Sequence, residues 1–148
     1  MRKFIFRLLK LPPRLVYALG LGPLYGRYVM LLPTHGRRSG KARVTPLQYE
    51  RVDGTFVVGS ARGTRSDWYR NLLADPRVEV RAGRARFNAT AKTCSDPTSI
   101  TDFLELRLER HHRIVGGILR LRGVPANPTR ADLETYAGRM AMVTLTPL

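Results

Sequence analysis

Residues 42–60 read ARVTPLQYERVDGTFVVGS, two strand-patterned runs folded back on each other at Asp53-Gly54. An Asp-Gly pair is a strong hairpin signal. The tight turn whose twist matches its flanking strands needs positive φ at both central residues, which Asp and Gly tolerate. Strands joined this closely pair antiparallel, because a parallel pair needs a crossover of about a dozen residues or more. The stretch therefore excludes a doubly wound parallel sheet and requires an antiparallel sheet or barrel. Pro46 lies inside the first run and lacks an N–H to donate, which marks that run as bulged or as an edge.

The pattern continues on both sides. Upstream, YVMLLPT (residues 28–34) is a short apolar run that reads as a strand. Downstream, SDWYRNLLADP (66–76) reads as a short helix. Ser66 or Asp67 caps it, Trp68, Leu72 and Leu73 form its apolar face, and Pro76 stops it. RVEVRA and RARFNATAKT make a second hairpin turned near Gly83, with Arg77, Arg81, Arg84 and Arg86 as solvent-face residues. Asp96-Pro97 opens a helical region in which Gly116-Gly117 is the expected break. Thr129 and Asp132 have capping-box spacing before another helix, and MAMVTLTP is the last strand. The expected class is α+β, about six antiparallel strands with three or four helices on the outside.

Residues 1–26 stand apart as an N-terminal segment, with 27–148 as the main domain. Lys3, Arg7, Lys10 and Arg14 line one side of a helical pattern, and Phe4, Ile5, Leu8, Leu9 and Leu11 fill the other. Arg7, Lys10 and Arg14 interrupt any secretory apolar region, and the longest uncharged run, Leu15 to Gly26, is too short to span a bilayer. Two readings stay open: a helix lying in an anionic membrane surface, or a helix packed on the domain core.

Composition narrows the chemistry. The chain has 148 residues, a formal net charge of +15 and one cysteine, Cys94, so it has no internal disulfide and fits a reducing, cytoplasmic setting. Three scattered histidines offer no zinc-type spacing, and His111 and His112, adjacent on a helix, point about 100° apart. The charge calls for an anionic partner. Nucleic acid is disfavoured, because the few aromatics are not interleaved with cations as a base-stacking face requires. A more local candidate is HGRRSGKARVTPL (35–47), where Gly36 and Gly40 permit a tight backbone and Arg37, Arg38 and Lys41 surround it with charge. Phosphate is the natural occupant of such a loop, although its spacing is neither GxxxxGK[ST] nor GxGxxG.

The order GRRSGKARVTPL, Asp-Gly hairpin, VVGSARG and DWYRNLLADPRVEV resembles the deazaflavin-dependent nitroreductase family of flavin-binding split β-barrels, over roughly residues 28–82. The resemblance implies a split barrel binding coenzyme F420, with FMN as the alternative. It further implies hydride transfer to an electron-poor acceptor such as a quinone, nitroaromatic, enone or lipid-like molecule. By position, Arg37, Arg38, Ser39, Gly40 and Lys41 match the turn that holds the cofactor's phosphate and acidic tail. Arg43, Thr45 and Pro46 match the following strand, Ser60, Ala61, Arg62 and Gly63 a second loop, and Trp68, Tyr69 and Asn71 a W-Y-x-N helix. Ser60 and Tyr136 are the side-chain donors expected to polarise an acceptor oxygen. From the residues alone, Trp68 reads first as core. The chain departs from the family in having Tyr136 as the sole tyrosine before the last strand, and Arg62 where small residues are usual. A non-catalytic cofactor- or lipid-binding protein of the same fold, associated with the inner face of the cell membrane, is the alternative function. A homodimer is compatible with either.

Overall fold

The computed structural model describes residues 29–148, so the expected N-terminal amphipathic helix and the boundary at residue 26 lie outside the described residues. Six strands, β1 (Val29–His35), β2 (Ala42–Val52), β3 (Thr55–Ser60), β4 (Arg77–Ala82), β5 (Ala85–Cys94) and β6 (Ala141–Pro147), form a closed barrel in the order β1-β2-β3-β6-β5-β4. Every neighbouring pair is antiparallel. The deciding hairpin is as read: Asp53 and Gly54 take φ of 48° and 79°, and Val52 pairs with Thr55. Gly83 turns the second hairpin at φ 62°.

The barrel is split because β1 and β4 meet only at Leu31 and Arg81 and then diverge. Pro46 sits opposite Leu31 in an unbroken register with β1, while β2 begins to pair with β3 only at Tyr49. The proline thus occupies a stretch of β2 with one ladder neighbour, where its missing N–H costs nothing, and no bulge is needed.

Four helices are present among the described residues: α1 (Asp67–Ala74), α2 (Pro97–Arg110), α3 (His112–Leu121) and α4 (Arg130–Ala137). Asp96 caps α2 by accepting from the Ser99 amide, and Thr129 and Asp132 form a complete capping box on α4. The expected break at Gly116-Gly117 is not where the chain breaks. Both glycines lie inside α3, and the interruption is at His111, whose φ and ψ are −137° and 54°. The cause is a long-range contact. His111 Nε2 lies 3.0 Å from the buried carboxylate of Glu50 on β2, which Arg107 and Arg110 also approach, at 3.6 and 3.4 Å. Leaving the helix at His111 satisfies this carboxylate, and a buried charge is costly without such partners.

Two apolar clusters follow. One fills the barrel with Met30, Leu32, Phe56, Val58, Val80, Val143 and Leu145, and Trp68, Tyr69 and Leu72 of α1 plug it from one side. The other joins α2, α3 and α4 through Ile100, Leu104, Val115, Leu119 and Leu133. Met140, next to β6, packs in the second cluster and carries the helical layer against the barrel. Burial in the barrel cluster, worth about 25 cal/mol per Å² of apolar surface, is what fixes α1 and the β1–β2 hairpin as facing walls.

Candidate cofactor-binding groove

The two glycines of the β1–β2 connection do different things. The Gly36 amide donates to the Lys41 carbonyl and the Gly40 amide to the Gly36 carbonyl, both at 2.8 Å, and Gly40 adopts φ 69°. These bonds close a tight turn that leaves Arg38 and Lys41 pointing outward and exposed. Arg37 does not join them. Its amide and Nη1 both donate to Asn71 Oδ1, at 3.2 and 3.1 Å, and its guanidinium reaches Asp67 at 3.4 Å. Arg37 is therefore the strap that ties the basic turn to α1.

Between the β1–β2 hairpin and α1 runs an open groove of about 550 Å3, lined by Thr34, Arg43, Val44, Thr45, Arg62, Ser66, Asp67, Trp68 and Asn71. Thr34 pairs with Arg43 in register, and side chains alternate along a strand, so Thr34, Arg43 and Thr45 share one face of the hairpin. Pro33, His35 and Ala42 take the opposite face and border a second groove of about 620 Å3, where β1 and β4 diverge. The second groove is larger and also carries an arginine excess, Arg77, Arg81 and Arg86 against Asp75 and Glu79, with Arg86 and Glu79 paired at 2.6 Å. In the first groove the only carboxylate, Asp67, is held by Arg37. Arg43 and Arg62, with Arg38 and Lys41 nearby, have no acidic partner among the described residues. Uncompensated guanidinium groups beside an open cleft favour an anion.

The structure thus brings five of the expected residues together: Arg43, Thr45, Arg62, Trp68 and Asn71. Trp68 serves two roles, packed edge-on to Tyr69 at 6.2 Å in the barrel core and bordering the groove. Tyr69 is core alone. Ser39, Gly40 and Pro46 stand away from the groove lining, and Ala61 is half-buried. Gly63 is a structural residue. At φ 63°, a Cβ added there would lie 2.8 Å from the Arg139 carbonyl oxygen.

Ser60 and Tyr136 are not brought together. Ser60 is buried and donates at 2.7 Å to the Gly63 carbonyl, with Ser66 Oγ also at 2.7 Å. Tyr136 packs with the helical cluster and borders a separate cleft beside Arg122 and Arg139. Four lining residues were not singled out as site residues. Thr34 is the polar end of an apolar strand, in register with Arg43, and Val44 follows Arg43 on β2 and pairs with Pro33. Ser66 and Asp67 read as helix caps, and only the fold shows that the helix start faces the basic hairpin.

Residues 18–109, more than half of the chain, match the family described as F420H(2)-dependent quinone reductase. The chain belongs to that family. An F420H(2)-dependent quinone reductase of Mycobacterium tuberculosis is 39% identical to this family member over 66 residues, which are 43% of this chain and 44% of that protein. The match thus spans under half the length of the curated relative. Among solved structures, an F420-H2 dependent reductase is similar with a TM-score of 0.51 and 23% identity, over 80% of this chain and 94% of that one. A conserved hypothetical protein of M. tuberculosis aligns with a TM-score of 0.59 and 17% identity, over 88% and 79% of the two chains. These two likenesses bear on the split-barrel fold alone.

Proposed function

We propose that the protein is a reductase that uses reduced coenzyme F420, seated in the groove between the β1–β2 hairpin and α1, to reduce a quinone-type acceptor. The observation that carries this reading is the set of uncompensated cations around an aromatic- and hydroxyl-lined cleft. The cleft is built from the part of the chain that matches the family. The donor set fits the cofactor. Arg43 and Arg62, with Arg38 and Lys41 at the turn, would hold its phosphate and acidic tail, and Trp68, Thr45 and Asn71 would border the rest of the molecule.

When bound, reduced coenzyme F420 supplies a hydride, which a quinone takes up with one proton to become the hydroquinone. The protein's part is positional. Arg37 holds the basic turn against α1, so the cationic wall is set before the ligand arrives and little ordering remains to be done on binding. Ser60 supports the Arg62 loop from below through Gly63 and Ser66. Asp67, the one carboxylate in the groove lining, is held by Arg37, so the proton would come from solvent.

The test is a fluorescence titration of the purified protein with coenzyme F420 and separately with FMN. Micromolar or tighter binding of the deazaflavin, and weaker binding of FMN, is expected. Equal or better binding of FMN would overturn the cofactor assignment.

The membrane placement rests on the N-terminal segment. No helix among the described residues is long and apolar enough to cross a membrane. Lys3, Arg7, Lys10 and Arg14, each adding about 1 kcal/mol near an anionic surface, would hold the protein reversibly beside quinones that partition into the bilayer. Equal flotation with anionic vesicles of the full chain and one lacking residues 1–14 would refute this anchor.

A further inference from the structure

The side chains beneath the groove do more than support it. Ser60 has one hydroxyl hydrogen, and it is spent on the Gly63 carbonyl, which can only accept. The 2.7 Å contact between Ser60 and Ser66 must then run the other way, with Ser66 donating to Ser60 Oγ. Ser66 has no hydrogen left. Nor is its oxygen occupied by the usual duty of its position, because as the residue preceding α1 it makes no side-chain cap to the helix amides. Its lone pairs remain, at a residue that lines the groove.

An opposite chain of bonds ends at Thr34. Two N–H groups of Arg37 point at Asn71 Oδ1, so that atom is the oxygen and the amide orientation is fixed. Asn71 Nδ2 therefore donates to Thr34 Oγ1, at 3.1 Å. Thr34 keeps its own hydrogen, has no recorded acceptor among the described residues, is buried, and also lines the groove.

We infer that the groove has a fixed hydrogen-bond polarity, in which Ser66 only accepts and Thr34 donates, and that this polarity selects its ligand. The ligand group at Ser66 is an N–H or O–H, and the group at Thr34 is an acceptor oxygen or nitrogen. A hydroxyl free to rotate would tolerate either partner. One locked by a buried relay penalises the wrong partner by leaving two like groups facing each other without a bond. Ser66 and Thr34 are specificity-determining residues, and Ser60 and Asn71 set their direction. Applied to coenzyme F420, this rests on the function proposed above, and two of its features can supply the donor: the ring imide N–H and the hydroxyls of the ribityl chain.

Two measurements test it. Neutron diffraction from deuterated crystals of the intact protein, with no ligand added, locates the hydroxyl deuterons directly. The Ser60 deuteron is expected on the Gly63 carbonyl, the Ser66 deuteron on Ser60 and the Thr34 deuteron in the groove; a Ser66 deuteron directed into the groove overturns the inference. In fluorescence titrations, Ser66→Ala is expected to weaken coenzyme F420 binding about tenfold, the worth of one hydrogen bond. The wild type should bind the deazaflavin chromophore more tightly than its imide-N-methylated form if the imide is the donor. If the ribityl chain is the donor, the wild type should instead discriminate against the chromophore lacking that chain. Ser66→Ala should lose whichever preference the wild type shows, and a preference retained in Ser66→Ala overturns the ligand-selecting role. Coenzyme F420 failing to bind the wild type, with the deuterons as expected, would sink the cofactor assignment and leave the polarity standing.

Discussion

Arg37 and Arg43 belong to one basic hairpin and have the same side chain, yet their partners give them separate work. Arg37 is spent on Asn71 and Asp67, whereas Arg43 has no acidic partner among the described residues and lines the groove. Arg43→Ala is expected to weaken coenzyme F420 binding about tenfold with an unchanged melting temperature, since it removes one charge-assisted contact and no internal bond. Arg37→Ala is expected to lower stability by about 1 kcal/mol, because its bonds are partly exposed, and to weaken binding only through a looser turn. Thermal melts beside titrations separate the two, and equal binding losses at equal stability would contradict the division. Gly63 gives a sharper case. Gly63→Ala should cost about 2–3 kcal/mol, because it adds a side chain at φ 63° against the Arg139 carbonyl. A melting temperature within a degree of wild type would show that the loop relaxes freely. The sequence presented these arginines as one cluster. Which of them is strap and which faces the groove depends on Asn71, more than thirty residues away, and no local pattern carries that information.

Helices α2 and α3 show how a local rule loses to a distant partner. Gly116-Gly117 has the lower helix propensity, by about 1 kcal/mol per glycine, and reads as the break. Burying Glu50 without partners would cost more than that, and the chain leaves the helix at His111, where the imidazole, Arg110 and Arg107 meet the carboxylate. Burial pushes the Arg107 guanidinium below its ordinary range and Glu50 pulls it back, so it stays charged at neutral pH. Its Nε, at 3.6 Å from the carboxylate, has no hydrogen-bond partner. Glu50→Gln should therefore destabilise the fold by about 2–3 kcal/mol, somewhat less than breaking a fully buried ion pair costs, because Arg110 and His111 are half-exposed. Urea unfolding checks this, and a loss under 0.5 kcal/mol, about the size of a surface change, would show that the cluster is only a solvated contact. The cap of α2 titrates. Bonds from Ser99, side chain first and then backbone, hold the Asp96 carboxyl below its ordinary value. A group depressed in the folded state stabilises above its unfolded pKa and loses that contribution as pH falls through the folded one. Asp96→Asn should thus flatten the loss of stability on acidification below about pH 4. Urea midpoints across that range decide, and parallel curves for the two proteins would contradict it. Unlike the α2–α3 break, this cap was legible from Asp96-Pro97 alone, because capping is settled within one turn.

At the scale of the whole molecule, the barrel was legible because each hairpin signal acts between neighbours, and the order of tight turns leaves few antiparallel closures. The facing of α1 and the β1–β2 hairpin was not, since it is set when the apolar side of α1 plugs the barrel and leaves its first turn at the groove. The same distinction between local and summed effects applies to the net charge of +15. Arg77, Arg84 and Arg86 are exposed on the second hairpin, and over more than about 8–10 Å their field is screened at physiological salt. Only cations that touch the ligand should then control how binding responds to salt. Coenzyme F420 affinity is expected to fall on the order of tenfold between 50 and 500 mM sodium chloride, as a few exposed ionic contacts would give. Arg43→Ala should make that response shallower by one contact, whereas Arg84→Ala, in a turn away from the groove, should leave its steepness unchanged. If both variants flattened the response equally, the anion would be drawn by the overall field, and the groove's own guanidinium groups would have no special claim on it.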